Sequence, residues 1–167
     1  VGLDRDPEAL AEARRRGLEV RAADLSTVGW SRTVLDRAPF EGAWLADAHV
    51  HLERPEVCLR DLPLVLARGA PVLVAEWVRP EGEQRGLGRL AAAAQGWLPP
   101  ARAHWAHPEH LHHWPESRWW TLLEDAGFVR DATHLSAFPP GLVRVPGIGS
   151  LLRLAWPARL LVARAPG

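Results

Sequence analysis

Two aspartates, Asp4 and Asp24, each close a short apolar run, VGLD and LEVRAAD. An acidic side chain after a strand, roughly 20 residues past a glycine turn, accepts hydrogen bonds from ribose hydroxyls. A carboxylate suits a diol because it offers two acceptor oxygens and no donor. Asp24, on the neighbouring strand, can accept from the exocyclic amine of adenine while Leu25 packs on the ring. Either aspartate taken singly reads equally well as a turn or helix cap. Both together, at this spacing, point to a nucleoside. A second group of chemistry-bearing residues lies in HWAHPEHLHHW, which holds His104, His107, His110, His112 and His113. The segment contains no zinc pattern with a matching ligand pair elsewhere, so no metal is expected. With Trp97, Trp105, Trp114, Trp119 and Trp120 it is expected to cap a pocket, one of Trp119 and Trp120 being core instead. Such a cap favours a flat or apolar small molecule.

These residues need elements to hold them. Residues 1–3 read as a strand remnant, followed by a helix that Asp6 caps, with Pro7 at its first position, Glu8 in its first turn and Gly17 at its end. Residues 18–23 are the next strand, 31–37 a short helix, and 40–46 (FEGAWLA) a strand covered on both faces. Residues 55–68 read as helical, with Cys58, Leu62, Val65 and Leu66 on one buried face and a kink or break at Pro63. PVLVAEW at 71–77 is a buried strand. A helix is expected near 87–95 and another over 116–126 (ESRWWTLLEDA), then strands near 128–136 and 152–164 with a loop at 139–150. Alternating strands and helices imply a doubly wound, mostly parallel α/β sheet. The closing pair, joined by a loop with no helix, implies an antiparallel hairpin at one edge. In such a sheet ligands bind at the carboxyl ends of the strands, where Asp4 and Asp24 stand. The opening stretch therefore reads as the second half of a nucleotide-binding unit, its first strand expected upstream.

Composition narrows the classes. The 167 residues are enough for one domain with its own core. Twenty basic residues balance twenty acidic ones, so no net field draws the chain to nucleic acid or anionic lipid. All the basic residues are arginine, and Lys, Asn, Tyr and Met are absent, a bias that fits a GC-rich genome and a natural start further upstream. No apolar run approaches the roughly 20 residues that span a bilayer. The single Cys58 forms no internal disulfide, which fits a reducing cytoplasm.

The chain resembles the class I S-adenosylmethionine-dependent methyltransferases, beginning at their second strand. GLDRDPEALAEARRRG resembles the family's acidic-loop segment and RAADL its adenine-contact strand. FEGAWLADAHVHLERP follows the pattern of Phe-Asp, an apolar strand and His-Leu-Pro-Asp-Pro. LPLVLARGAPVLV stands where the family has a helix ending in Leu-Lys-Pro-Gly-Gly. ESRWWTLLEDAGF resembles the last helix and its Ala-Gly-Phe turn, and RLLVARAP the final antiparallel strand. The likeness spans nearly everything outside about 80–115, with the six motifs in the family's order.

The resemblance implies a Rossmann-like fold and S-adenosylmethionine as cofactor. Asp4 would hold the ribose with Arg5 beside it, and Asp24 and Leu25 would frame the adenine. Leu45 and Ala46 would touch the methionine portion, and Asp47 and His51 would line the reaction chamber. Methyl transfer depends chiefly on positioning, since the leaving thioether is neutral. For a hydroxyl or phenol acceptor a general base helps; His51 is the first candidate and Glu76, at the end of its strand, the second. The plainer role for His51 is a bond to backbone at a helix start. The Gly-rich loop after the family's first strand has no counterpart here, because GLGRL at 86–90 follows no strand. The expected partner is a small-molecule acceptor rather than nucleic acid or membrane, with the oligomeric state left open. Two rivals stand beside this reading. A short-chain dehydrogenase would need a catalytic Tyr and Lys that the chain lacks. A methyltransferase-like module without activity would also lack the Gly-rich loop, and an upstream strand with a Gly-x-Gly turn would separate it from an enzyme.

Overall fold

A computed structural model describes residues 1–82, 86–135 and 157–167. The strands are β1 (Gly2–Asp4), β2 (Val20–Ala22), β3 (Ala43–Ala46), β4 (Pro71–Trp77), β5 (Val129–Leu135) and β6 (Ala158–Arg164). The helices are α1 (Pro7–Arg15), α2 (Pro55–Asp61), α3 (Gly86–Gly96), α4 (Pro99–Ala106) and α5 (Glu116–Asp125). They form an open α/β sheet in two pieces, a parallel pair β1–β2 and a four-stranded sheet of order β3-β4-β6-β5. In the larger piece β3 runs parallel to β4, and β6 runs antiparallel to both β4 and β5. The closing strand thus runs against its neighbours, as expected from the sequence; the loop expected at 139–150 and the first residues of the strand expected at 152–164 lie outside the described residues.

Local chemistry explains most boundaries. Asp6 caps α1, its Oδ1 accepting from Glu8 N at 2.8 Å, and Pro7 occupies the first turn where no N–H is needed. Gly17 then turns the chain at φ 79°, a left-handed conformation that glycine adopts at no steric cost. Pro63 stops the α-helical pattern that begins at Pro55: α2 ends at Asp61 and a 3-10 turn continues over Leu62–Val65.

Three expectations need correction. The helix foreseen at 31–37 is two 3-10 turns, Trp30–Thr33 and Leu35–Arg37. The strand foreseen at 40–46 begins only at Ala43, because Phe40 bonds Val65 O and Ala67 N instead, bridging to Leu66. Nor is that strand covered on both faces, since Trp44 is 73% exposed.

The core lies where β4 and β6 meet α2 and α5. Val72 and Val74 of β4, Leu161 of β6, Leu59 of α2, and Trp119 and Leu123 of α5 are all buried within it. Alternation along β4 puts Val72, Val74 and Glu76 on its buried face. Both Trp119 and Trp120 belong to this core, whereas Trp97 is 88% exposed and caps nothing. Among the described residues no helix is long and apolar enough to cross a membrane.

Candidate functional site

The register of β1 and β2 pairs Asp4 with Ala22, so Asp4 and Asp24 stand at the same rim of the small sheet. Each carboxylate first shapes its own turn. Asp4 Oδ1 accepts from Asp6 N and Asp24 Oδ1 accepts from Ser26 N, both at 2.9 Å. Among the described residues the Oδ2 atom of each accepts no hydrogen bond. Asp4, Arg5, Asp24 and Leu25 line a cleft of about 300 Å³, closed from the far side by His51 and Glu109. Ser26 Oγ accepts from Glu53 N at 3.1 Å, which ties the turn after β2 to the segment after His51.

A larger cleft of about 760 Å³ runs between β1 and β3, lined by Leu3 and Asp4 on one side and by Leu45, Ala46 and Asp47 on the other. Leu25 and His51 line both clefts, so the two adjoin. Every residue singled out in the sequence for cofactor contact therefore lines one or both of these adjoining clefts.

Glu76 stands elsewhere. Its side chain is fully buried, and its Oε1 accepts from His49 N at 3.3 Å and faces His49 Nδ1 at 3.1 Å. It lines neither cleft. His49, which sequence reasoning passed over, in turn meets Trp119 at a tilt, ring centres 5.0 Å apart. Period-2 alternation was the available signal: it aligns Glu76 with Val72 and Val74, toward the core.

Over the rim lies the histidine segment. α4 carries His104 in its last turn, and the following chain is stitched to the 3-10 turn His49–His51. Leu111 N donates to Val50 O at 2.6 Å, and His112 Nε2 donates to Leu52 O at 2.7 Å. His110 sits 4.8 Å from His51 and 4.1 Å from His104, ring centre to ring centre. Asp47, in the left-handed region at φ 50°, approaches His104 Nδ1 at 3.8 Å through Oδ2. Burial pushes the Asp47 carboxyl above its ordinary value, against the opposing pull of His110 and His51. Burial and the neighbouring imidazoles hold His104 down at about 4. At neutral pH the His104 ring is thus uncharged, so the contact is not an ion pair. His113 is also held low, by burial first and then by Arg79. The sequence missed α4 because Pro99 and Pro100 read as a break, whereas proline at a helix start is favourable.

No protein-family model matches the chain, and no curated protein matches it in sequence. Solved structures do match. A putative methyltransferase of Haloferax volcanii, seen in complex with the Trm112 methyltransferase activator, aligns at 16% identity and a TM-score of 0.64, over 99% of this chain and 71% of that one. An S-adenosylmethionine-dependent methyltransferase of Mesorhizobium loti aligns at 18% identity and a TM-score of 0.64, over 98% and 78%. The chain has the class I S-adenosylmethionine-dependent methyltransferase fold. The [4+2]-cyclase SpnF shares that fold with it, at 18% identity and a TM-score of 0.61, over 99% of this chain and 65% of that one. In each case this chain spans only part of its neighbour's length. A cyclase among the neighbours underlines that the methyltransferase fold does not by itself fix the reaction, which must be argued from the site.

Proposed function

We propose that the chain binds S-adenosylmethionine through the rim that Asp4 and Asp24 share and serves methyl transfer to a small-molecule acceptor. The observation that carries this reading is the pair of carboxylates at the ends of adjacent parallel strands, each with one oxygen accepting within its own turn and both residues lining the same cleft. The described residues fit the nucleoside part of the cofactor. Asp4 Oδ2 is an acceptor for ribose hydroxyls, Asp24 Oδ2 an acceptor for the adenine amine, and Leu25 an apolar surface for the ring. When bound, the cofactor supplies an activated methyl on a sulfonium.

The protein's own contribution is placement. Leu45 and Ala46 at the end of β3 border the larger cleft, where the methionine portion would extend, and Asp47 and His51 stand beside it. His51 is the group at the rim able to take a proton from a hydroxyl acceptor. Glu76, bonded to His49 inside the core, lines neither cleft.

The test is equilibrium dialysis with labelled S-adenosylmethionine. The expected result is one equivalent bound per chain, displaced by S-adenosylhomocysteine and by adenosine but not by a nicotinamide dinucleotide. Absence of saturable binding, or displacement by the dinucleotide alone, would overturn the proposal.

A further inference from the structure

Asp47, His104 and His110 each bring one potential ligand atom to within 4.8 Å of the others. The three come from separate places, the end of β3, the last turn of α4 and the chain beyond it, so sequence spacing could not pair them. The rings are already oriented. His110 Nδ1 donates to His104 O at 2.7 Å, which leaves Nε2 as the lone-pair atom of the neutral ring. The His104 side chain is only 6% exposed and lies flat on Trp77, ring centres 5.1 Å apart. Among the described residues, Asp47 Oδ1 and His104 Nε2 are buried without a hydrogen-bond partner. Buried polar atoms are ordinarily satisfied, so two exceptions on residues of the same triad leave room for a further partner.

We propose that Asp47, His104 and His110 bind a divalent first-row transition ion of the zinc class. Two imidazoles and one carboxylate suit Zn2+, Fe2+, Co2+ or Ni2+, whereas Mg2+ and Ca2+ prefer all-oxygen shells. Donors on a tetrahedral ion with arms of roughly 2.1 Å stand about 3.4 Å apart. Closing the present triangle therefore takes an inward shift of about 1 Å, the scale of a side-chain adjustment at His110 on its half-buried loop. Three protein donors leave one position open, and Asp47 borders the larger cleft, so that position adjoins the space proposed for the methionine portion of the cofactor. The Leu111–Val50 and His112–Leu52 bonds brace the segment that carries His110, a support that metal ligands commonly need. His51 and His107, with ring centres 4.8 and 4.6 Å from that of His110, stand by as outer partners.

The inference does not rest on methyl transfer, and its test contains no cofactor. Tag-free protein stripped with a chelator is titrated with Zn2+ alone by calorimetry, and with Co2+ for its visible ligand-field bands. One ion per chain is expected, with four-coordinate Co2+ intensity and no displacement by excess Mg2+. Asp47→Asn and His110→Ala should each weaken Zn2+ binding at least tenfold, while the exposed His134→Ala on β5 changes nothing. Circular dichroism on each variant separates loss of a ligand from loss of the fold. Failure of the wild-type chain to bind Zn2+ stoichiometrically would overturn the proposal. Binding that survives in folded Asp47→Asn and His110→Ala would overturn it equally.

Discussion

Replacing Glu76 by leucine asks whether this carboxylate serves the fold or the reaction. In the native chain its Oε1 accepts from His49 N and faces the ring Nδ1 at 3.3 and 3.1 Å, inside a pair whose side chains are both fully buried. Leucine removes the acceptor and strands two donors that no water reaches, at about 1–3 kcal/mol each, hence about 2–6 kcal/mol in all. Glutamine keeps an amide oxygen where Oε1 stands and exchanges an unpaired carboxylate oxygen for an unpaired NH2, so it should cost far less. Urea denaturation followed by tryptophan fluorescence reads both, because Trp119 lies 5.0 Å from the His49 ring. Against a total stability of about 5–15 kcal/mol the leucine variant should show a large fall in midpoint with an unchanged slope. A Glu76→Leu chain as stable as wild type would refute the reasoning. It would return Glu76 to the catalytic role that its place at the end of a strand suggested.

Other outcomes follow from the same packing. Burial, with Asp61 nearby, pushes the Cys58 thiol up to about 12 and leaves the residue 1% exposed. An aromatic disulfide reagent should therefore label the native chain only as fast as it unfolds, and the denatured chain at once; rapid native labelling would contradict this. Trp119→Ala should cost about 3–5 kcal/mol, because the ring is 1% exposed between His49 and Trp114 and leaves a cavity behind. A thermal midpoint unchanged from wild type would show that the ring is not part of the core.

What the sequence made legible was what short-range chemistry decides. The Asp6–Pro7 start and Gly17 end of α1 lie within one turn of the residues that cause them, and so does the break at Pro63. The antiparallel β6 was expected from a sequence pattern that shows no helix before it. Features set by distant partners were hidden. Phe40 leaves its strand to pair with Leu66, a partner that no local pattern names. Asp47 meets His104 and His110 only through the tertiary fold, in which α4 sets His104 against Trp77 of β4. The residues expected to contact a cofactor could be grouped from sequence because each lies at or just past the end of a strand, and strand ends gather at one rim whatever the loops do. Glu76 also ends a strand, but its alternation turns it toward the core.

The central claim is that Asp4 holds a ribose and Asp24 an adenine amine, and matched deletions on protein and ligand test it most directly. Asp4→Asn retains the oxygen that accepts from Asp6 N and removes only the free acceptor. It should weaken S-adenosylhomocysteine by about 1.5–3 kcal/mol, roughly 10–150-fold in Kd, the scale for a hydrogen bond to a charged group. The same substitution should leave unchanged the affinity for an analogue lacking both ribose hydroxyls, while Asp24→Asn still weakens that analogue. Equal losses for the intact ligand and the analogue, or no loss for either, would contradict the account.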